Sequence, residues 1–123
     1  MATDVVCDLI PFVHVKNVPR SIAFYEKLGL VACDTFKPRG TIVWASLKAE
    51  SARIMLAQSE QALDPDKQGV LFYLYSVDLA ALRARLISAG LKAGEIEDGS
   101  PGPKQEMRLI DPDGYCLMIA QKE

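Results

Sequence analysis

His14 is the one histidine in this 123-residue chain. With Glu106 it forms the pair of side chains best suited to acid–base work, because an imidazole titrates near neutral pH and a neighbouring carboxylate makes it a general base. No spacing in the sequence brings the two within hydrogen-bond reach. A single imidazole also limits any metal site built inside one chain to one ligand of that kind. Cys7, Cys33 and Cys116 are odd in number and lack C-x-x-C spacing, so they read as reduced thiols in a cytoplasm. As a nucleophile Cys116 would need a nearby imidazole or positive field, and its apolar neighbours argue for an inert thiol.

Whatever these groups do depends on the elements that carry them. The length fits one domain with a sizeable core, expected over residues 1–123. Half the residues are hydrophobic and 24% are charged, as in ordinary globular proteins. With 14 basic and 16 acidic residues and no Lys/Arg cluster, a nucleic-acid partner is not expected. No apolar run reaches the roughly 18 residues of a membrane span. The opening MATDVVCDLI lacks the basic region and long apolar core of a secretory signal, so a chain working in the cytoplasm is expected.

Two helices stand out. In NVPRSIAFYEKLGL, Asn17 is the expected N-cap, Pro19 lies in the first turn, and Gly29 is the stop; Ile22, Tyr25 and Leu28 form the apolar stripe. In VDLAALRARLISAGL, Asp78 caps, Gly90 stops, and Leu79, Leu82 and Leu86 form the stripe. Both caps and both stops are separated by the same 61 residues. Strand-like runs LIPFVHV and VLFYLYS precede the helices. LVACDTF, TIVWASL and ARIMLAQ follow the first; LKAGEIE, QEMRLI and YCLMIA follow the second. Gly and Pro mark the loops, at 38–40 and 99–103. The expected architecture is α+β: two tandem β-α-β-β-β units, over about 8–57 and 69–121, joined by a polar crossover at 58–68.

Strand alternation divides the side chains into two sets. Leu9, Pro11, Val13, Val15, Val70, Phe72, Leu74, Ile54, Leu56, Met107 and Leu109 suit packing under helices. The opposite face receives Ile10, Phe12 and His14, then Arg53, Met55 and Ala57. It also receives Leu71, Tyr73 and Tyr75, then Glu106, Arg108 and Ile110, with Cys116 and Met118 from the last strand. Trp44 is assigned to this face as well, although its strand reads either way. Apolar and aromatic lining with a few placed polar groups is the character of a ligand pocket. A plain second core, covered by a partner subunit, would rarely keep two Arg, one Glu and one His.

The motifs V-x-N-V-x-x-S-I-x-F-Y-x-x-L-G-L, W-A-S-L…ARIMLA and the closing D-P-D-G-Y resemble the vicinal-oxygen-chelate superfamily over nearly the whole chain. That group includes glyoxalase I, bleomycin-resistance proteins, fosfomycin-resistance enzymes and extradiol dioxygenases. The resemblance implies a sheet curled into a half-open mixed barrel, helices on its outer face, a site on the inner face, and a homodimer that completes the cavity. It also implies four positions for a divalent metal, which fall on Ile10, Met55, Leu71 (or Gly69) and Met118. Catalytic metals of this type need oxygen and imidazole donors, which these side chains lack. No metal and no cofactor is therefore expected.

Two functions follow. The first is metal-independent binding or sequestration of an aromatic or charged small molecule near a dimer interface, as the bleomycin-resistance branch implies. Its ligand-binding residues would be Phe12, His14, Trp44, Arg53, Met55, Tyr73, Tyr75, Glu106, Arg108, Cys116 and Met118. The alternative is a lyase, isomerase or dioxygenase type of enzyme using His14 and Glu106 as catalytic residues, or a non-standard metal site. A protein-binding module is a third possibility, which the mixed polar lining favours less.

Overall fold

A computed structural model of the chain describes residues 4, 6–99, 101–102 and 105–123. Ser100 and Pro103 of the expected 99–103 loop lie outside the described residues. The described chain has seven strands and two α-helices, an α+β fold in two compact units, Met1–Glu60 and Gln61–Glu123.

In the first unit, β1 (Phe12–Val15) leads into α1 (Val18–Glu26), followed by β2 (Val31–Phe36), β3 (Trp44–Ala49) and β4 (Ala52–Gln58). The strand order is β1-β4-β3-β2, with β1 parallel to β4 and the others antiparallel. Asn17 caps α1 as its type predicts, its Oδ1 accepting from Arg20 N at 3.0 Å. The chain leaves the helix through Gly29 at φ +89°, a conformation in which a Cβ would be strained. Val18, Ile22, Phe24 and Tyr25 of the helix are buried with Val13, Val15, Leu47, Ile54 and Leu56 of the sheet. Full burial of each such aliphatic side chain contributes about 1.5–3 kcal/mol.

The second unit repeats the plan with β5 (Leu71–Ser76), α2 (Leu79–Ser88), β6 (Glu106–Ile110) and β7 (Cys116–Gln121), in the order β5-β7-β6. Again the first strand is parallel to the last. Asp78 Oδ1 accepts from Ala81 N at 3.0 Å, and Gly90 ends the helix at φ +87°. Leu79 and Leu86 are buried with Met107, Leu109, Leu117 and Ile119.

Several expectations need correction. Leu9 is 82% exposed and Val70 56%, so neither packs under a helix. The first strand begins only at Phe12, because Pro11 has no N–H with which to extend the ladder; its carbonyl still accepts from Met55 N at 2.9 Å. Val70 precedes β5, an edge strand, while α2 packs on β7. The expected strand LKAGEIE is reduced to one bridge, Glu97 to Glu106. Gly94 N still donates to Arg108 O at 2.8 Å, but the Gly94 carbonyl is turned toward Arg83 Nε, also at 2.8 Å. From Gly94 to Glu97 the chain advances three residues against two on β6, so the pairing is out of step by one and no ladder forms. A similar slip lies in β2, between Ala32 and Asp34, and there the ladder recovers.

The D-P-D-G-Y motif is a built turn. Buried Asp111 accepts through Oδ1 from Asp113 N at 2.8 Å and Tyr115 N at 2.9 Å. Gly114 adopts φ +88°, and a Cβ there would fall 2.4 Å from the carbonyl oxygen of Pro65, in a 3₁₀ turn over Pro65–Lys67. Gln68 Nε2 donates to Asp113 O at 3.0 Å and ties the same two segments. Gly114→Ala is expected to destabilise by about 2 kcal/mol or more, from left-handed strain plus the backbone clash. Asp111→Ala is expected to cost about 1–3 kcal/mol through its two amide bonds. Urea unfolding of both variants, with an unchanged slope, checks these values.

Candidate functional site

Register decides which side chains share a face, because directly paired residues point the same way. On the first sheet, the row His14–Ala57–Trp44–Phe36 runs across all four strands. The next row is Phe12–Met55–Ser46–Asp34, and Arg53 pairs with Lys48 beyond it. Trp44 therefore lies on the face opposite α1, with Phe12, His14, Arg53 and Met55. Phe12 is 53% exposed, and its ring meets that of His14 edge-on at 5.5 Å.

On the second sheet the rows are Tyr75–Ala120–Glu106, Tyr73–Met118–Arg108 and Leu71–Cys116–Ile110. Tyr73 and Tyr75 are 43% and 62% exposed, with ring centroids 5.7 Å apart. Tyr73 donates its O–H diagonally across this floor to Glu106 Oε2. That bond, then desolvation, then the charge of Glu106 and the neighbouring Tyr75, raise the phenol pKa from 10.0 to about 12. Among the described residues the side chains of Arg108 and Arg53 make no ion pair or hydrogen bond.

The eleven sequence-predicted residues thus fall on two faces. Phe12, His14, Trp44, Arg53 and Met55 share that of the first unit; Tyr73, Tyr75, Glu106, Arg108, Cys116 and Met118 share that of the second. His14 and Glu106, the proposed acid–base pair, lie in different units, and Glu106 accepts a hydrogen bond from the Tyr73 phenol. Asp34, Phe36, Ser46 and Lys48 also belong to the first face, to which the sequence reading had not assigned them. Alternation along WASLKA from Trp44 was signal enough for Ser46 and Lys48; Phe36 depends on the slip in β2, which no local pattern marks.

At the positions that the resemblance assigns to a metal, each unit sets a methionine beside an aromatic ring. Met55 pairs with Phe12 and Met118 with Tyr73. Leu71 opens β5, while Ile10 and Gly69 precede the strands. None of these side chains supplies an oxygen or nitrogen donor, so the set does not fit a Lewis-acidic divalent ion. Among the described residues no group of three or more His, Cys, Asp or Glu side chains could hold one.

A four-stranded β-α-β-β-β unit followed by a three-stranded repeat of the same plan, with helix-free faces lined in this way, defines a known class. The chain belongs to the Glyoxalase/Bleomycin resistance protein/Dioxygenase superfamily, whose family model matches residues 9–119. Its fold is similar to that of a bleomycin-binding protein crystallised with bleomycin, at TM-score 0.77 and 23% identity over 96% of this chain and 100% of the other. It is similar also to a bleomycin resistance determinant encoded on transposon Tn5, at 0.78 and 23% over 96% and 99%. A third likeness is to TnmS3, an antibiotic binding protein from Streptomyces sp. CB03234, at 0.73 and 18% over 99% and 100%. No curated protein matches the chain. No described helix is long and apolar enough to cross a membrane.

The Tyr73–Glu106 bond has a spectroscopic consequence. A phenol held neutral by its partner keeps that stabilisation below its unfolded pKa near 10 and loses it as pH rises through about 12. Absorbance titration at alkaline pH is expected to show one tyrosine ionising near 12. Tyr73→Phe should remove that step, and Glu106→Gln should bring it down toward 10.

Proposed function

We propose that the chain is a metal-independent, small-molecule-binding member of the superfamily that takes an aromatic or charged ligand against its helix-free sheet faces. The observation that carries this reading is the second face. Two tyrosine rings stay exposed there, Tyr75 more than Tyr73, while a hydrogen bond fixes Tyr73. Exposed aromatic area of this kind gains stability when covered, and fixed rings lose little entropy on covering a flat molecule. Trp44 and Phe12 offer the same surface on the first face. Glu106 suits a cationic group on the ligand, and Arg53 and Arg108 an anionic one.

The apolar thioethers at the family's metal positions support binding without metal chemistry. Of the similar structures, one holds bleomycin and another is that of an antibiotic binding protein, and both support an organic ligand as the class. Sheet-edge strands carrying exposed Leu71, Val31 and Phe36 support a homodimer that covers them and helps to enclose the ligand. The exposed thiols of Cys7 and Cys33 suit a reducing cytoplasm.

The test is the melting temperature of chelator-stripped protein, measured against Mn, Fe, Co, Ni, Cu and Zn and against a panel of planar aromatic compounds. A ligand at 100 times its dissociation constant stabilises by about 2.7 kcal/mol. In a chain of this size that is a rise of about 4 °C. Such a rise is expected with an aromatic compound and with none of the metals. A stoichiometric metal shift, abolished by His14→Ala, would overturn the reading in favour of an enzyme.

A further inference from the structure

On β6 an acid and a base stand on the same face two residues apart, Glu106 and Arg108. Strand geometry separates their backbones by about 6.7 Å, well within the reach of an arginine and a glutamate that attract each other. Yet no ion pair joins them among the described residues. The reason lies on β5. Tyr73, in the row of Arg108, donates its hydroxyl to Glu106 in the next row. The carboxylate is drawn toward β5, over the small, fully buried Ala120, and the guanidinium is left without a partner.

We propose that Tyr73 is a positioning residue that holds Glu106 off Arg108, and that the face so arranged receives a zwitterionic aromatic ligand of the amino-acid type. This deepens the ligand-binding reading above and rests on it. The ligand's ammonium meets Glu106, which retains an acceptor oxygen beyond the one bound to Tyr73, and lies near the negative faces of Tyr73 and Tyr75. Its carboxylate meets the forked donors of Arg108. Its ring covers Met118 and the two tyrosines, where a thioether and aromatic faces offer soft apolar contact. A ligand with only one charge leaves either Glu106 or Arg108 desolvated without a counter-ion, and that selects against it.

Tryptophan, tryptamine and indole-3-propionate share one ring system and differ in carrying both charges, the cation alone or the anion alone. Binding of each is followed by the backbone amide signals of β5 and β6 in the full chain. Tryptophan is expected to bind at least tenfold more tightly than either analogue, with shifts concentrated at 73–75 and 106–108. In Tyr73→Phe, Glu106 is released to pair with Arg108, and the preference should fall below about threefold. Arg108→Met should equalise tryptophan and tryptamine. If tryptamine or indole-3-propionate binds as tightly as tryptophan, the zwitterion proposal is wrong while small-molecule binding stands. Absence of any tryptophan-dependent shift on these strands also overturns the proposal. Coupled with a flat melting screen, it overturns the ligand-binding reading as well.

Discussion

Each unit depends on one constraint: its first strand lies parallel to its last, and a helix makes the turn between the first and second. A parallel partner cannot be reached by a tight hairpin, so the chain must cross over one face of the sheet. That face becomes the dry one. Val13, Leu56, Leu117 and Ile119 are buried there, beneath α1 or α2. Alternation then forces Phe12, Met55, Tyr73 and Met118 to the other side, whatever their chemistry. The candidate ligand face is in this sense the remainder of the helix-covered core.

The closing turn serves the same constraint. Strand β7 must start in register with β5, and Asp111 sets that start by holding two amides of the turn. Gly114 lets the turn approach Pro65 more closely than any side chain would permit. At the other end, Gln121 Oε1 accepts from Leu79 N at 2.9 Å and its Nε2 donates to Val77 O at 2.7 Å, so the last strand is pinned to the start of α2. Between these anchors lie Cys116, Met118 and Ala120, the floor under Tyr73 and Tyr75. A rigid floor is what a binding face needs, since it lowers the entropy lost when a ligand settles on it.

Much of this was legible in the residues themselves. Asn17, Gly29, Asp78 and Gly90 mark the helix ends because caps and stops are local, satisfied within three or four residues. The two-sided alternation of ARIMLAQ and YCLMIA was legible for the same reason. Where reading failed, the cause was not local. Leu9 and Val70 looked like core, yet they lie past the ends of their strands. LKAGEIE looked like a strand, and Arg83, eleven residues before Gly94, takes the carbonyl that its ladder needs. Phe36 reaches the aromatic row only through a one-residue slip in β2.

Residue types and their spacing were enough for the two helices and their caps, the repeat, and which side chains a strand must show to opposite faces. Residue type alone also says that the positions which the resemblance assigns to a metal carry no oxygen or nitrogen donor. Tertiary structure decided the partners. Trp44 joined the row of His14, Glu106 accepted from Tyr73, and among the described residues the Arg108 side chain was left unpaired. Pairings of this kind depend on register between strands dozens of residues apart, and a one-residue slip changes every neighbour across the sheet.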